Sequence, residues 1–359
     1  MAADTDNIVA VSIPYMAGVV AAAAMPLGSG AYWTLALALS VGIVPMFISA
    51  SRRKSGRASF YILFFLLGAV NYAAWASSPQ LSHQGKLFFT ASKAMDWLQE
   101  LISQAGFRND STSSLLQALF TGRKSSLDKS IIETFRISGA SHILALSGLH
   151  LGIIYGIISG LLTALGRSTA ARIAASYIIV LCCGFYTMMT GAGPSVCRAL
   201  IFIIIREIQK FSPGRRCSAA ACLSISLMVH TTVNPGAVGS LGFQLSYLAV
   251  TGVLLVYPKL KEWAPEGRFN AVSWLWNASA MSISCQIFTA PLIWWKFRSF
   301  PTYFLITNII SLPVTELLMI CSVLCLGLEA AGICPEAIKN LCDILAQILI
   351  ESLGIIAEL

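Results

Sequence analysis

The sequence predicts an all-α, polytopic membrane protein with about ten or eleven membrane helices, plus amphipathic helices at the interface. Three observations carry this prediction. Of 359 residues, 56% are hydrophobic and only 11% charged, whereas a soluble domain carries roughly 25% charged residues. The mean hydropathy is +0.74. The apolar runs are also long and continuous, near the roughly 20 residues a membrane helix needs. The short alternating segments of a membrane β-barrel are not seen.

The runs fall near residues 8–25, 31–50, 58–76, 142–165, 171–190, 194–211, 217–233, 240–257, 272–295, 302–329 and 337–357. Met1 to Asn7 is acidic and lacks the basic start of a signal peptide, so the first run is expected to be a retained span. The run at 302–329 contains Pro313 and is expected to kink or split. The last run carries Lys339, Asp343 and Glu351 and is expected to lie in the interface. Three regions follow: a three-helix membrane region at 1–76, an amphipathic extracytoplasmic segment at 77–140, and a membrane core at 141–359. In the middle segment, Leu87, Ala91, Ala94, Leu98, Leu101, Ile102 and Ala105 follow helical spacing. A second amphipathic piece runs from Leu127 to Ile137, with Ser125-x-x-Asp128 as its capping box and Gly139 as its stop.

Cations sit in alternate connections: Arg52, Arg53, Lys54 and Arg57; Arg167 and Arg172; Arg206, Lys210, Arg215 and Arg216; Lys259, Lys261 and Arg268. Counting crossings puts all four groups on one side, which the positive-inside rule makes cytoplasmic, together with the N-terminus. The turns at Met25–Gly30, Gly191–Pro194 and Asn234–Gly239 then lie outside. Net charge is +8, which reports orientation first and a taste for anionic partners second. Cys182, Cys183, Cys197, Cys222, Cys285, Cys321 and Cys325 lie within apolar runs and read as small packing residues. No C-x-x-C pair or cysteine–histidine metal spacing occurs, so neither a metal nor a cofactor is expected.

Four polar constellations interrupt the apolar runs. The first is Ser141-His142-Ile143-Leu144-Ala145-Leu146-Ser147-Gly148-Leu149-His150. Imidazoles and hydroxyls are costly in hydrocarbon, so these line a wet cavity or are satisfied inside the protein. Gly148, Gly152, Gly156 and Gly160 recur every four residues and predict a close helix approach. The second is Gly191-Ala192-Gly193-Pro194-Ser195-Val196-Cys197-Arg198. Proline after glycine opens a helix, and free N–H groups with a guanidinium make a phosphate site there. A snorkelling Arg198 is the alternative. The third is Asn234-Pro235, followed by Gln244, Ser246 and Tyr247; hydrogen bonding between helices competes with a lining role. The fourth is Asn308 with Glu316, an acid within a span that should be paired or protonated. By the crossing count, His142, Pro194, Arg198 and Gln244 share the outward half of the membrane, which describes a polar vestibule for an anion.

These blocks closely resemble the ComEC competence-protein family, the inner-membrane DNA-uptake channel of transformable bacteria. The match runs through Gly122, Gly139-x-x-His142 to His150, Gly193-Pro194-Ser195-Val196-x-Arg198-Ala199, and Asn234-Pro235. It continues through Gly242-Phe243-Gln244-Leu245-Ser246-Tyr247-Leu248-Ala249, Pro291-Leu292, Phe300-Pro301, Asn308 and Pro313. Members often carry an oligonucleotide-binding barrel after the third span and a metallo-β-lactamase-like nuclease domain at the end. Here only Ser77 to Lys86 separates the third span from the amphipathic segment, and no H-x-H-x-D-H pattern occurs. The resemblance therefore implies the channel core alone, naturally short or truncated.

It implies passage of single-stranded DNA into the cytoplasm with a DNA receptor, a cytoplasmic ATPase or helicase, a separate nuclease and membrane lipid as partners. The absence of a Walker A motif agrees that energy comes from elsewhere. A pore for a polyanion needs sparse cations, polar lining and stacking aromatics. The DNA-path candidates are His142, Ser147, His150, Ser195, Arg198, Gln244, Ser246, Tyr247 and Asn308. The competing reading is a secondary transporter for a small anion, using Arg198 with His150 or Glu316 as proton carrier. No H-E-x-x-H, G-x-S-x-G or paired intramembrane aspartates occur, so no enzymatic activity is expected.

Overall fold

The computed structural model describes residues 2–25, 57–78, 86–164, 168–211, 217–264, 270–298 and 301–359. The expected span at 31–50 and the cations Arg52, Arg53, Lys54, Arg167, Arg215, Arg216 and Arg268 lie outside the described residues, as does Phe300. Thirteen α-helices and no strand occur among the described residues. They are α1 (Ala2–Ala23), α2 (Arg57–Ser77), α3 (Lys86–Gln104), α4 (Asp110–Thr121), α5 (Lys129–Ile137), α6 (Gly148–Ala164) and α7 (Thr169–Met189). Then come α8 (Pro194–Gln209), α9 (Ala219–Val233), a 3-10 turn (Pro235–Gly239), α10 (Leu241–Glu262), α11 (Asn270–Phe297), α12 (Phe304–Ala330) and α13 (Glu336–Ala357). The all-α class is as the sequence predicts.

Among the described residues, five helices are long and apolar enough to cross a membrane: α2 over Phe60–Ser77, α7, α10, α12 and α13. Shorter apolar stretches occupy Ile8–Ala23, Gly148–Thr163 and Ala219–Val233. Outward apolar side chains such as Tyr177 and Leu181, each 69% exposed, suit contact with lipid rather than water. Some details differ from expectation. Residues 142–147 are a loop, and the helix there begins at Gly148. Pro313 is accommodated within one helix. α13 is not peripheral: it packs along α12 and buries Cys342, Asp343, Leu345, Leu349 and Leu353. The cap of α5 is Asp128, not Ser125, although its side chain makes no capping bond.

Packing divides the chain into two units, Met1–His83 with Ile204–Val250, and Gln84–Ile203 with Thr251–Leu359. In the first, α1 and α2 touch backbone to backbone. A Cβ on Gly18 would strike the carbonyl of Phe65, and one on Gly68 the carbonyl of Tyr15. Small residues permit this approach. Asn71 then donates to Tyr15 Oη at 3.0 Å and to the Thr231 carbonyl at 2.9 Å, tying α1, α2 and α9 together.

In the second unit, the main apolar core joins α3, α4 and α5 to α12 and α13, with Leu115, Leu116, Leu119, Phe135, Leu318 and Leu349 fully buried. α4 was not expected as a separate element, and it is the most enclosed of the amphipathic pieces. A smaller core joins α6, α7 and α8 through Leu151, Ile179, Tyr186 and Val196. Tyr186 donates its hydroxyl to the Phe120 carbonyl at 2.9 Å, fastening α7 to the end of α4. Gly139 adopts φ +82°, and a Cβ there would meet Pro301 Cβ at 2.6 Å. That position requires glycine on both counts. Thr307 donates to the Ser138 carbonyl at 2.6 Å and completes the junction between the 138–147 loop and α12.

Candidate functional site

The loop at 138–147 exists because α6 has a strong start signal. Ser147 is its cap: its hydroxyl accepts the Leu149 N–H at 3.2 Å. Three residues on, His150 Nδ1 accepts the backbone N–H of Ser147 at 3.1 Å and lies 2.9 Å from the Ser147 hydroxyl. This is a capping box with histidine in the place usually held by Glu or Gln. A backbone N–H can only donate, so Nδ1 carries no proton and the neutral ring keeps its hydrogen on Nε2. That Nε2 is buried and has no partner among the described residues. His150 is therefore both a structural cap and a donor available inside the protein. His150→Ala is expected to cost about 1 kcal/mol of stability, while His150→Gln, which keeps an acceptor, retains most of it. Thermal unfolding of the two variants in detergent checks this.

The turn before α8 is unusual. Gly191 has φ +76° and Ala192, a non-glycine residue, φ +53°. The turn delivers Pro194 as first residue of α8, with Ser195 beside it and Arg198 one turn on. A Cβ on Gly148 would lie 3.2 Å from Ala199 Cβ, 3.4 Å from Arg198 Nη2 and 3.7 Å from the Ser195 carbonyl oxygen. The guanidinium of α8 thus lies against the N-terminus of α6 and also over the Phe202 ring, 5.9 Å from its centroid. The positive end of the α6 dipole and a cation converge there, which is chemistry that favours an anion. Gly148 supplies the close approach expected of the glycine stripe. A Cβ on Gly152, Gly156 or Gly160 would meet nothing within 4 Å. Instead Gly152 and Gly156 line an open groove of about 310 Å³ shared with Glu316 of α12.

The other candidates are placed as follows. His142 is exposed in the loop, its Nδ1 3.2 Å from the Gly139 carbonyl. Asn308 is half-buried on α12 and donates to Ser282 Oγ at 3.4 Å; its Oδ1 is buried without a partner among the described residues. Gln244, Ser246 and Tyr247 belong to the other unit. Gln244 donates to the Val238 carbonyl at 2.9 Å and closes the 3-10 turn. Tyr247 is buried, 3.0 Å from Ser226 Oγ, and packs with Phe243 and His230. Ser246 is buried on α10. Among the described residues no group of three or more His, Cys, Asp or Glu is placed to hold a metal.

Sequence reasoning passed over one feature. A second cavity, of about 560 Å³, is lined by Phe88 of α3 and by Arg123 and Lys124 just after α4. The available signal was a basic pair directly following Gly122, whose φ of +72° ends α4.

Comparison with known proteins bears on these blocks directly. A sequence profile of the Competence protein family matches residues 119–359. The "ComE operon protein 3" of Bacillus subtilis (strain 168) is 28% identical over 213 residues, covering 58% of this chain and 24% of that protein. "Competence protein ComA" of Neisseria gonorrhoeae is 26% identical over 210 residues, 55% of this chain and 28% of that protein. The chain thus spans about a quarter of the length of these curated relatives. No solved structure matches.

Proposed function

The chain belongs to the Competence protein family, and on that premise we propose that it is the membrane channel through which single-stranded DNA enters the cytoplasm during transformation. The observation that carries this reading is the meeting of Arg198 with Gly148 at the N-terminus of α6. A guanidinium and a positive helix end at the edge of apolar helices favour a passing phosphodiester. The orphan Nε2–H of His150 in the same first turn adds a neutral donor. Few cations are needed, because each neutralised phosphate tightens binding and would hold the strand. Alternating cationic connections favour a cytoplasmic N-terminus in the cell inner membrane. A DNA receptor outside, and an ATPase or helicase and a nuclease from separate chains, complete the pathway.

Glu316 favours a second reading. An exposed acid on an apolar helix, facing a groove beside Gly152 and Gly156, suits a proton-coupled transporter of a small anion. One experiment separates the two. In a transformable host whose own copy is deleted, labelled DNA should stay bound at the surface and fail to reach the nuclease-protected cytoplasmic pool. Expression of this chain together with its soluble partners should restore entry. Entry that proceeds unchanged without the protein would refute the channel, and uptake of small anions by proteoliposomes would then support the transporter.

A further inference from the structure

The 560 Å³ cavity lies between α3 and the last turn of α7, within one unit of the molecule. Met95, Leu144, Leu146 and Met188 contribute apolar lining. Phe88 stands on its wall, half-buried. Arg123 and Lys124 also line it, directly after the left-handed turn at Gly122 that ends α4. A Cβ on Gly122 would meet Leu146 Cδ1 at 2.7 Å, so this turn packs closely against the 138–147 loop. Arg123 is held by Asp96 at 3.4 Å and by Gln99 at 3.1 Å. Lys124 makes no ion pair among the described residues.

We propose that this cavity seats a nucleotide of the incoming single strand. Its base would lie against Phe88 and Met188 and its phosphate on Lys124, with Arg123 exchanging Asp96 for a second phosphate. The proposal rests on the DNA-channel reading and gives the strand a loading point. The volume is in the range of small-ligand sites. An aromatic wall beside cations is the arrangement that binds single strands without regard to sequence. The lining also includes Thr190 and Gly191, which lead in sequence to Pro194, the first residue of α8. Arg198, the second cationic point, belongs to the same unit.

The test measures binding of a fluorescent 12-nucleotide oligothymidylate to the full chain in detergent, by polarisation, across a salt series. Lys124→Glu should weaken binding about tenfold and lower the salt slope by about 0.7 per lost phosphate contact. Phe88→Ala should weaken it about tenfold with the slope unchanged, and should have no effect on an abasic oligomer. Asp96→Asn, which breaks only an exposed pair, should tighten binding and guards against misfolding as the explanation. Binding by the parent protein with all three variants unchanged would overturn the cavity and leave the channel reading standing. No binding by the parent protein would overturn the cavity as a seat for the strand, while the channel reading stands or falls with the entry assay. Variants that change affinity only for phosphatidylglycerol vesicles, and not for the oligomer, would reassign the cavity to a lipid headgroup.

Discussion

Arg198→Ala is expected to lower transformation about ten- to a hundredfold while the protein still reaches the membrane. The guanidinium is half-buried on α8, held over Phe202 and against the N-terminus of α6. A hydrogen bond to a charged group contributes about 1.5–3 kcal/mol, and every 1.4 kcal/mol is about a factor of ten. Loss of one phosphate contact in the path therefore gives the stated range. Arg198→Lys restores the charge but not the planar fork, so it should recover only part of the activity. The measurement is transformation frequency, normalised to membrane protein detected by immunoblot. A frequency equal to the parent's would take Arg198 out of the pathway, whatever the fate of the cavity beside α3.

Much of the fold was legible because hydrocarbon imposes it. Runs such as Thr169–Met189 and Phe304–Ala330 have no soluble alternative, and hydropathy finds them without tertiary knowledge. The start of α6 was also written locally, in Ser147 and His150, but an imidazole at the third helical position does not resemble the usual Glu or Gln of a capping box. α4 was obscured for a different reason. Its opening, Asp110-Ser111-Thr112-Ser113-Ser114, reads as loop, and the group that completes its N-terminus lies on α13. The cavity of Phe88, Arg123 and Lys124 is assembled from α3, the end of α4, the 138–147 loop and the end of α7. No spacing rule connects four such distant segments. Gln244 and Tyr247 are polar side chains in an apolar helix, and each has a hydrogen-bond partner inside its own unit that no spacing in the sequence announces.

Asp343→Ala is expected to destabilise the protein by about 3 kcal/mol. Asp343 is 5% exposed on α13, and its carboxylate accepts the backbone N–H groups of Arg108 at 2.9 Å and Asn109 at 3.4 Å. Asn109 is the cap residue of α4 and makes no side-chain capping bond of its own. The carboxylate thus caps α4 from another helix and sets a negative charge at the positive end of its dipole. α4 in turn holds Leu115, Leu116 and Leu119 in the main core, so loosening its first turn reaches the packing of α12 and α13. Asp343→Asn keeps the shape and one acceptor oxygen and should lose about half as much. Unfolding of the full chain in mixed detergent micelles gives both numbers. Equal stability of the alanine variant and the parent would mean that α4 folds without its distant cap, and that the apolar contacts of Leu115, Leu116 and Leu119 alone fix its place.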